Sequence, residues 1–153
     1  MSENGHRREL AFDLPAAHRT VRVARNLARR FARMEGVNER DVDSMLLVLS
    51  ELLANAVDHG GGEAAMEGSA NGTRMRAVVQ LDDDRWTVRV VDEGGGDPEA
   101  IRAVLESDGM PDLEDERGRG FFLMKELTDD LSVELSESGR GLTILAMRHY
   151  KSD

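Results

Sequence analysis

Glu51, Asn55 and Asp58 stand at helical spacing in the segment Glu51-Leu-Leu-Ala-Asn55-Ala-Val-Asp58-His59-Gly60. At about 100° per residue they share one flank, beside an apolar face of Val42, Met45, Leu46, Leu49, Leu52, Leu53 and Ala56. A carboxylate and a carboxamide one turn apart can share a metal ion or a water. Magnesium suits such a pair, because it prefers oxygen ligands and often takes one or two protein groups plus substrate phosphates. On that reading Asn55 is a metal ligand, and Glu51 holds a metal-bound water or takes the proton of an attacking hydroxyl. The same residues also read as the wet edge of an amphipathic helix. Asp58 opposes the helix dipole where it stands, which points either to a polar partner or to a solvated side chain.

Two glycine clusters follow. Asp92-Glu-Gly94-Gly-Gly96 comes directly after a strand-like run, where a carboxylate can accept a hydrogen bond from an exocyclic amine such as that of adenine. Gly94 and Gly96 there let a flat ligand approach the backbone. Gly118-Arg119-Gly120 precedes a helical run, where backbone amides and Arg119 offer an anion site. Taken alone, each string reads equally well as a turn or a hinge. The spacing is neither that of a dinucleotide-binding Gly-x-Gly-x-x-Gly nor that of a Walker loop. Thr143, on a late strand after Gly139 and Gly141, is an ordinary β-branched residue or a hydroxyl beside a purine.

These residues need elements to hold them. Leu10, Phe12 and Leu14 alternate over 9–14, which predicts a strand ended by Pro15. Residues 16–34 predict a helix burying Thr20, Ala24, Leu27, Phe31 and Met34, with Gly36 as its end. Asn38 caps a second helix over 39–59, which Gly60-Gly61-Gly62 stops. Residues 61–72 read as a flexible connection. Strands follow over 75–81 and 86–91, joined by the turn Asp82-Asp-Asp-Arg85. Asp97 and Pro98 open a short helix to 106. Residues 107–119 read as a mobile acidic loop, 121–128 as a short helix built on Phe122, Met124 and Leu127, and 131–135 and 142–149 as two strands.

The sum is an α+β fold, a two-layer sandwich of a mostly antiparallel mixed sheet covered by helices on one face. Residues 1–8 form a loose N-terminus, and 9–150 form one domain.

The 153-residue chain has no cysteine, so thiolate metal sites and cysteine nucleophiles are excluded. No apolar run is long enough to span a bilayer and no signal segment is read, so the expectation is a cytoplasmic protein. A formal charge of −10 argues against direct nucleic-acid binding. The charge is uneven, however. Arg19, Arg22, Arg25, Arg29, Arg30 and Arg33 face a single acid, Glu35, over residues 16–35. That helix is either a solvated face or a docking surface for an acidic partner.

The ordered set Glu51, Asn55, His59-Gly60, then Asp92-x-Gly94-x-Gly96, then Gly118-x-Gly120, then Thr143 resembles the GHKL ATP-binding fold. Ser50 to Gly60 is most similar to the branch of small anti-sigma factor serine kinases. No upstream helix pair with a phosphoacceptor histidine is read, which favours that branch over a histidine-kinase catalytic domain. The resemblance implies ATP and Mg2+ as cofactors. It implies Asn55 as the magnesium ligand, Glu51 as general base, Asp92 as the adenine-recognising acid with Gly94 and Gly96, Gly118 and Gly120 as lid glycines with Arg119 beside them, and Thr143 on the adenine side. It further implies a sigma factor as a partner, and a STAS-type anti-anti-sigma protein as the substrate for serine phosphorylation. Homodimerisation stays open, and the alternative is a non-catalytic nucleotide-binding module acting through protein contact. Asp58 and the acids of the lid region, Asp112, Glu114, Asp115 and Glu116, depart from the family pattern.

Overall fold

Alternation of apolar and polar residues decides the sheet. Phe12, Ala77, Val79, Trp86, Val88, Val90, Ile144 and Ala146 all point to one side, where they are buried. The computed structural model describes residues 7–60, 74–92, 98–106, 116–136 and 141–151. Its elements run β1 (Arg8–Pro15), α1 (His18–Met34), α2 (Glu39–Asn55), a π-helical turn (Ala56–Gly60), β2 (Arg74–Leu81), β3 (Arg85–Asp92), α3 (Pro98–Glu106), α4 (Glu116–Leu127), β4 (Asp130–Leu135) and β5 (Leu142–His149). The five strands lie in the order β1-β2-β3-β5-β4, and every pairing is antiparallel. Among the described residues no strand pairs in parallel, so the expected two-layer α+β form holds without that element. The helices cover one face, and Trp86, Phe121, Met45, Leu49, Leu52 and Leu53 fill the space between the layers.

Helix ends follow their local chemistry. The Asn38 side chain accepts from the Asp41 N–H at 2.9 Å and so caps α2. Gly36, at φ 85°, closes α1. Its N–H donates to Arg33 O, and the Val37 N–H donates to Ala32 O, satisfying the last carbonyls. Arg33 then grips Glu39, with Nη2 2.6 Å from Oε1, and its hydrogen bonds hold that carboxyl below its ordinary range.

Two readings need correction. On α1 Ala24 is buried as expected and Phe31 packs half-buried against the core, but Ala28 and Ala32 complete the buried stripe in place of Leu27 and Met34. Leu27 is 47% and Met34 78% exposed. The stripe of small side chains faces the core, with Val21 and Phe31 packing at its margin, and Leu27 and Met34 lie outside it. The fourth helix starts at Glu116, so residues 116–119 belong to it rather than to a loop. Its anchors are Phe121 and Met124, both fully buried, rather than Phe122. Tertiary packing of those two side chains overrides the poor helix propensity of Gly118 and Gly120.

Direction matters most for the site. The Lys151 N–H donates to the buried Asp41 carboxylate at 3.2 Å, tying the start of α2 to the end of β5. β5 is antiparallel to β3, so α2 and β3 run the same way. Asn55 and Asp92, each the last residue of its element, therefore finish at the same end of the domain.

Candidate functional site

The helix that carries Glu51 and Asn55 does not end as an α-helix. After Asn55 it widens into the π turn Ala56–Gly60, a feature frequent at functional sites. Its Ala56 and Val57 are buried, and the turn packs on β3. The extra residue per turn rotates Asp58 off the Glu51–Asn55 flank. Asp58 instead meets His18 at the start of α1, with Nε2 to Oδ1 at 2.8 Å. The expected three-residue face is thus a two-residue face, and Asp58 has the polar partner that its unfavourable place in the dipole suggested. Both side chains are more than half exposed, so the pair is worth less than about 1 kcal/mol.

Asn55 is half-buried, and its Nδ2 is sealed from solvent with no hydrogen-bond partner. A buried amide left unpaired costs about 1–3 kcal/mol. A donor at that place would be satisfied by an anionic oxygen such as that of a phosphate. Glu51, one turn back and also half-buried, faces α4. A Cβ placed on Gly120 would lie 3.1 Å from Glu51 Oε2, so the glycine leaves room for the carboxylate. Gly118, Arg119 and Gly120 all fall in the first turns of α4, and Arg119 is exposed.

Asp92 closes the other wall. It is 7% exposed, and its Oδ1 accepts from the Leu142 N–H at 3.2 Å. Gly141 lies against it so closely that a Cβ would sit 1.9 Å from the Asp92 carbonyl oxygen and 2.9 Å from Oδ1. The hairpin end that presents Gly141 is pinned by Ser136, whose N–H donates to Gly141 O at 2.8 Å and whose Oγ accepts from Gly141 N at 3.1 Å. Gly141 and Leu142 were missed as wall-forming residues. The available signal was a glycine opening a strand, which marks close backbone approach.

Thr143 is not brought to this wall. Leu142, Ile144 and Ala146 face the helices, so Thr143, between them and opposite Val91, faces the other side of the sheet. The core-facing position beside Asp92 is Leu142. Gly94 and Gly96 lie outside the described residues.

Glu51, Asn55, Asp92, Gly118, Arg119 and Gly120 therefore gather at one end, since α2 packs on both β3 and α4. Among the described residues no group of three His, Asp or Glu side chains converges as a metal cage. A cation at Asn55 would complete its shell with phosphate oxygens and water, as magnesium does. The carboxamide oxygen of Asn55 suits such a cation, while its unpaired Nδ2, a donor, suits the phosphate oxygens beside it. A separate cavity of about 260 Å³ opens at the far end of α2, between Arg8, Glu35, Asn38 and Tyr150. Burial there pushes the Tyr150 hydroxyl up to about 12.

The family model for the histidine kinase-like ATPase domain matches residues 14–148. An anti-sigma F factor of Clostridium acetobutylicum is 32% identical over 112 residues, 72% of this chain and 71% of that protein. Another, from Caldanaerobacter subterraneus subsp. tengcongensis, is 30% identical over 128 residues, 83% of this chain and 82% of its own length. The SiaB–SiaC complex from Pseudomonas aeruginosa contains a chain of the same fold, with a TM-score of 0.70 at 14% identity over 90% of this chain and 88% of that one. The RsbU and RsbW domains of Rv1364c from Mycobacterium tuberculosis match at a TM-score of 0.60 and 18% identity, over 95% of this chain and 33% of theirs. No helix among the described residues is long and apolar enough to cross a membrane.

Proposed function

The chain belongs to the histidine kinase-like ATPase domain family, and we propose that it is an ATP-binding anti-sigma factor. In this reading it holds a sigma factor and transfers the ATP γ-phosphoryl group to a serine of a STAS-type anti-anti-sigma protein. The curated relatives named anti-sigma F factors support the regulatory part. The observation that carries the chemical part is the pair of glycines set against the two acids. Gly141 fixes Asp92 from one side, and Gly120 leaves room for Glu51 from the other.

Asp92, oriented by the Leu142 N–H, would accept a hydrogen bond from the exocyclic amine of adenine. Amides in the first turn of α4, around Gly118 and Gly120, suit phosphate oxygens, with Arg119 adding positive charge. Asn55 would hold magnesium through its carboxamide oxygen, and the chemistry that ion would supply is neutralisation of phosphate charge. Glu51 takes the proton of the serine hydroxyl as its oxygen bonds to phosphorus and the bond to ADP breaks. Positioning and electrostatics carry such a transfer, which agrees with a site built from few side chains.

The test is transfer from γ-labelled ATP to a STAS-type protein by wild type and Glu51→Gln. The variant loses about 100-fold or more of the rate and keeps its nucleotide affinity, because only the base is removed. Undiminished transfer by Glu51→Gln contradicts the role of Glu51. Bound ATP with no transfer by the wild type leaves a binding module in place of a kinase.

A further inference from the structure

The core-facing row of β5 breaks its apolar pattern at its end. Leu142, Ile144 and Ala146 face the helices and are buried, and the next residue of that parity is Arg148. Its guanidinium lies between two helices. Nη1 donates to Leu127 O, on the last residue of α4, at 3.0 Å, and to Ser44 Oγ, on α2, at 3.3 Å. Neither acceptor is a carboxylate, so this part-buried cation holds two neutral oxygens. A cation suits a helix C-terminus, whose last carbonyls lack partners within the helix.

The place of that bond matters for the site. α2 and α4 pack on each other in opposite directions: Gly120 meets Glu51 at one end, and Leu127 meets Ser44 through Arg148 at the other. Glu51 stands about two turns beyond Ser44 on α2, and Leu127 about two turns beyond Gly120 on α4, about 10 Å in each case. Phe121 and Met124, both fully buried, seat α4 between these two points. A helix seated at its middle tilts as a whole, so a shift at Leu127 returns as a comparable shift at Gly120. The chain beyond α4 is fastened independently. The Asp129 N–H donates to Met147 O at 2.8 Å, and the His149 N–H donates to Asp129 Oδ2 at 2.7 Å. Loss of Arg148 therefore frees the tilt of α4 without releasing the strand that follows.

We propose that Arg148 is a positioning residue for phosphoryl transfer, setting from the far end of α4 the approach of Gly120 to Glu51. It touches no reacting group. By joining β5, α2 and α4 it fixes the tilt of α4, and with it the place of Gly118, Arg119 and Gly120 beside the carboxylate. The inference rests on the proposed role of Glu51 and adds to it the device that aligns that side chain. A bond that merely stabilises the end of α4 would instead lower stability and leave the chemistry intact.

The experiment measures transfer from γ-labelled ATP to a saturating STAS-type protein by the whole chain and its Arg148 variants. Arg148→Leu should lower kcat by about tenfold, as a misplacement below about 1 Å does, while ATP affinity changes by about threefold or less. Arg148→Lys, which keeps the charge and the donors, should regain most of the rate. In a Glu51→Gln background Arg148→Leu should have no further effect, because the carboxylate that it aligns is gone. A second readout needs no transfer. The chain has no cysteine, so nitroxide labels on Asp43→Cys and Glu126→Cys, both exposed positions, report the separation of α2 and α4 near Arg148. Arg148→Leu should shift that distance by about 2 Å, less than half a helical turn, or broaden its distribution. Circular dichroism verifies folding. Should Arg148→Leu not fold, Ser44→Ala removes only the bond to α2 and should cost about threefold in kcat. The proposal is overturned by an unchanged kcat, by an equal loss in the Glu51→Gln background, or by Arg148→Lys behaving as Arg148→Leu. If the wild type transfers nothing, the kinase reading fails, and an unchanged label distance then overturns the placement of α4 by Arg148.

Discussion

Two glycines meet the two acids of the site, and they do so differently. A side chain on Gly141 would strike the main chain of Asp92, 1.9 Å from its carbonyl oxygen, at the end of the β3–β5 ladder. One on Gly120 would meet only the tip of Glu51, 3.1 Å away, which can swing aside. The wall assigned to adenine is thus set by backbone against backbone. The wall assigned to proton transfer is set by a helix against a movable carboxylate. On the proposed function, recognition would be built into the sheet, while catalytic alignment would depend on how α4 stands on α2.

Substitution can break that contrast. Gly141→Ala should have the largest effect: a methyl group 1.9 Å from a carbonyl oxygen can be accommodated only by a backbone shift. Its cost should lie at or above the upper end of the about 1–3 kcal/mol typical of overpacking. Urea unfolding checks it, and an unchanged midpoint would mean that the two strands can part. Gly120→Ala should behave in the opposite sense. Helix propensity favours it by up to about 1 kcal/mol, so stability holds or rises. Phosphotransfer should nevertheless fall by about tenfold as Glu51 is displaced, since a misplacement of about 1 Å can cost about 100-fold. Thermal unfolding and the labelled-ATP assay, run on the same sample, separate the two effects. Thr143→Val should do least. It lies across the sheet from Asp92, so ATP affinity should stay within about twofold, as for a substitution away from the site. A large loss there would return Thr143 to the adenine wall.

The same contrast explains what the sequence disclosed. Asn38, Gly36 and the strand alternations act through neighbours in the chain, and each did what its residue type required. The Glu51–Asn55 flank was legible because one turn of helix fixes it. Other features depended on contacts distant in sequence. The face of Thr143 follows from strand parity, where an offset of one residue from Leu142 reverses the side. The choice of Ala28 and Ala32 over Leu27 and Met34 depends on which flank of α1 faces the core, which periodicity alone does not encode. The π turn leaves no residue-level mark, yet it moves Asp58 from the site to His18. The contact of Gly141 with Asp92 joins residues about 50 positions apart.

The unpaired Asn55 amide is the point at which the nucleotide account is most exposed. Calorimetric titration of ATP with magnesium into wild type and Asn55→Ala tests it directly. The account predicts saturable binding by the wild type, weakened about 10- to 100-fold in the variant, the loss expected for one interaction with a charged group. Equal affinity in the two proteins, or no binding to the wild type, would contradict it.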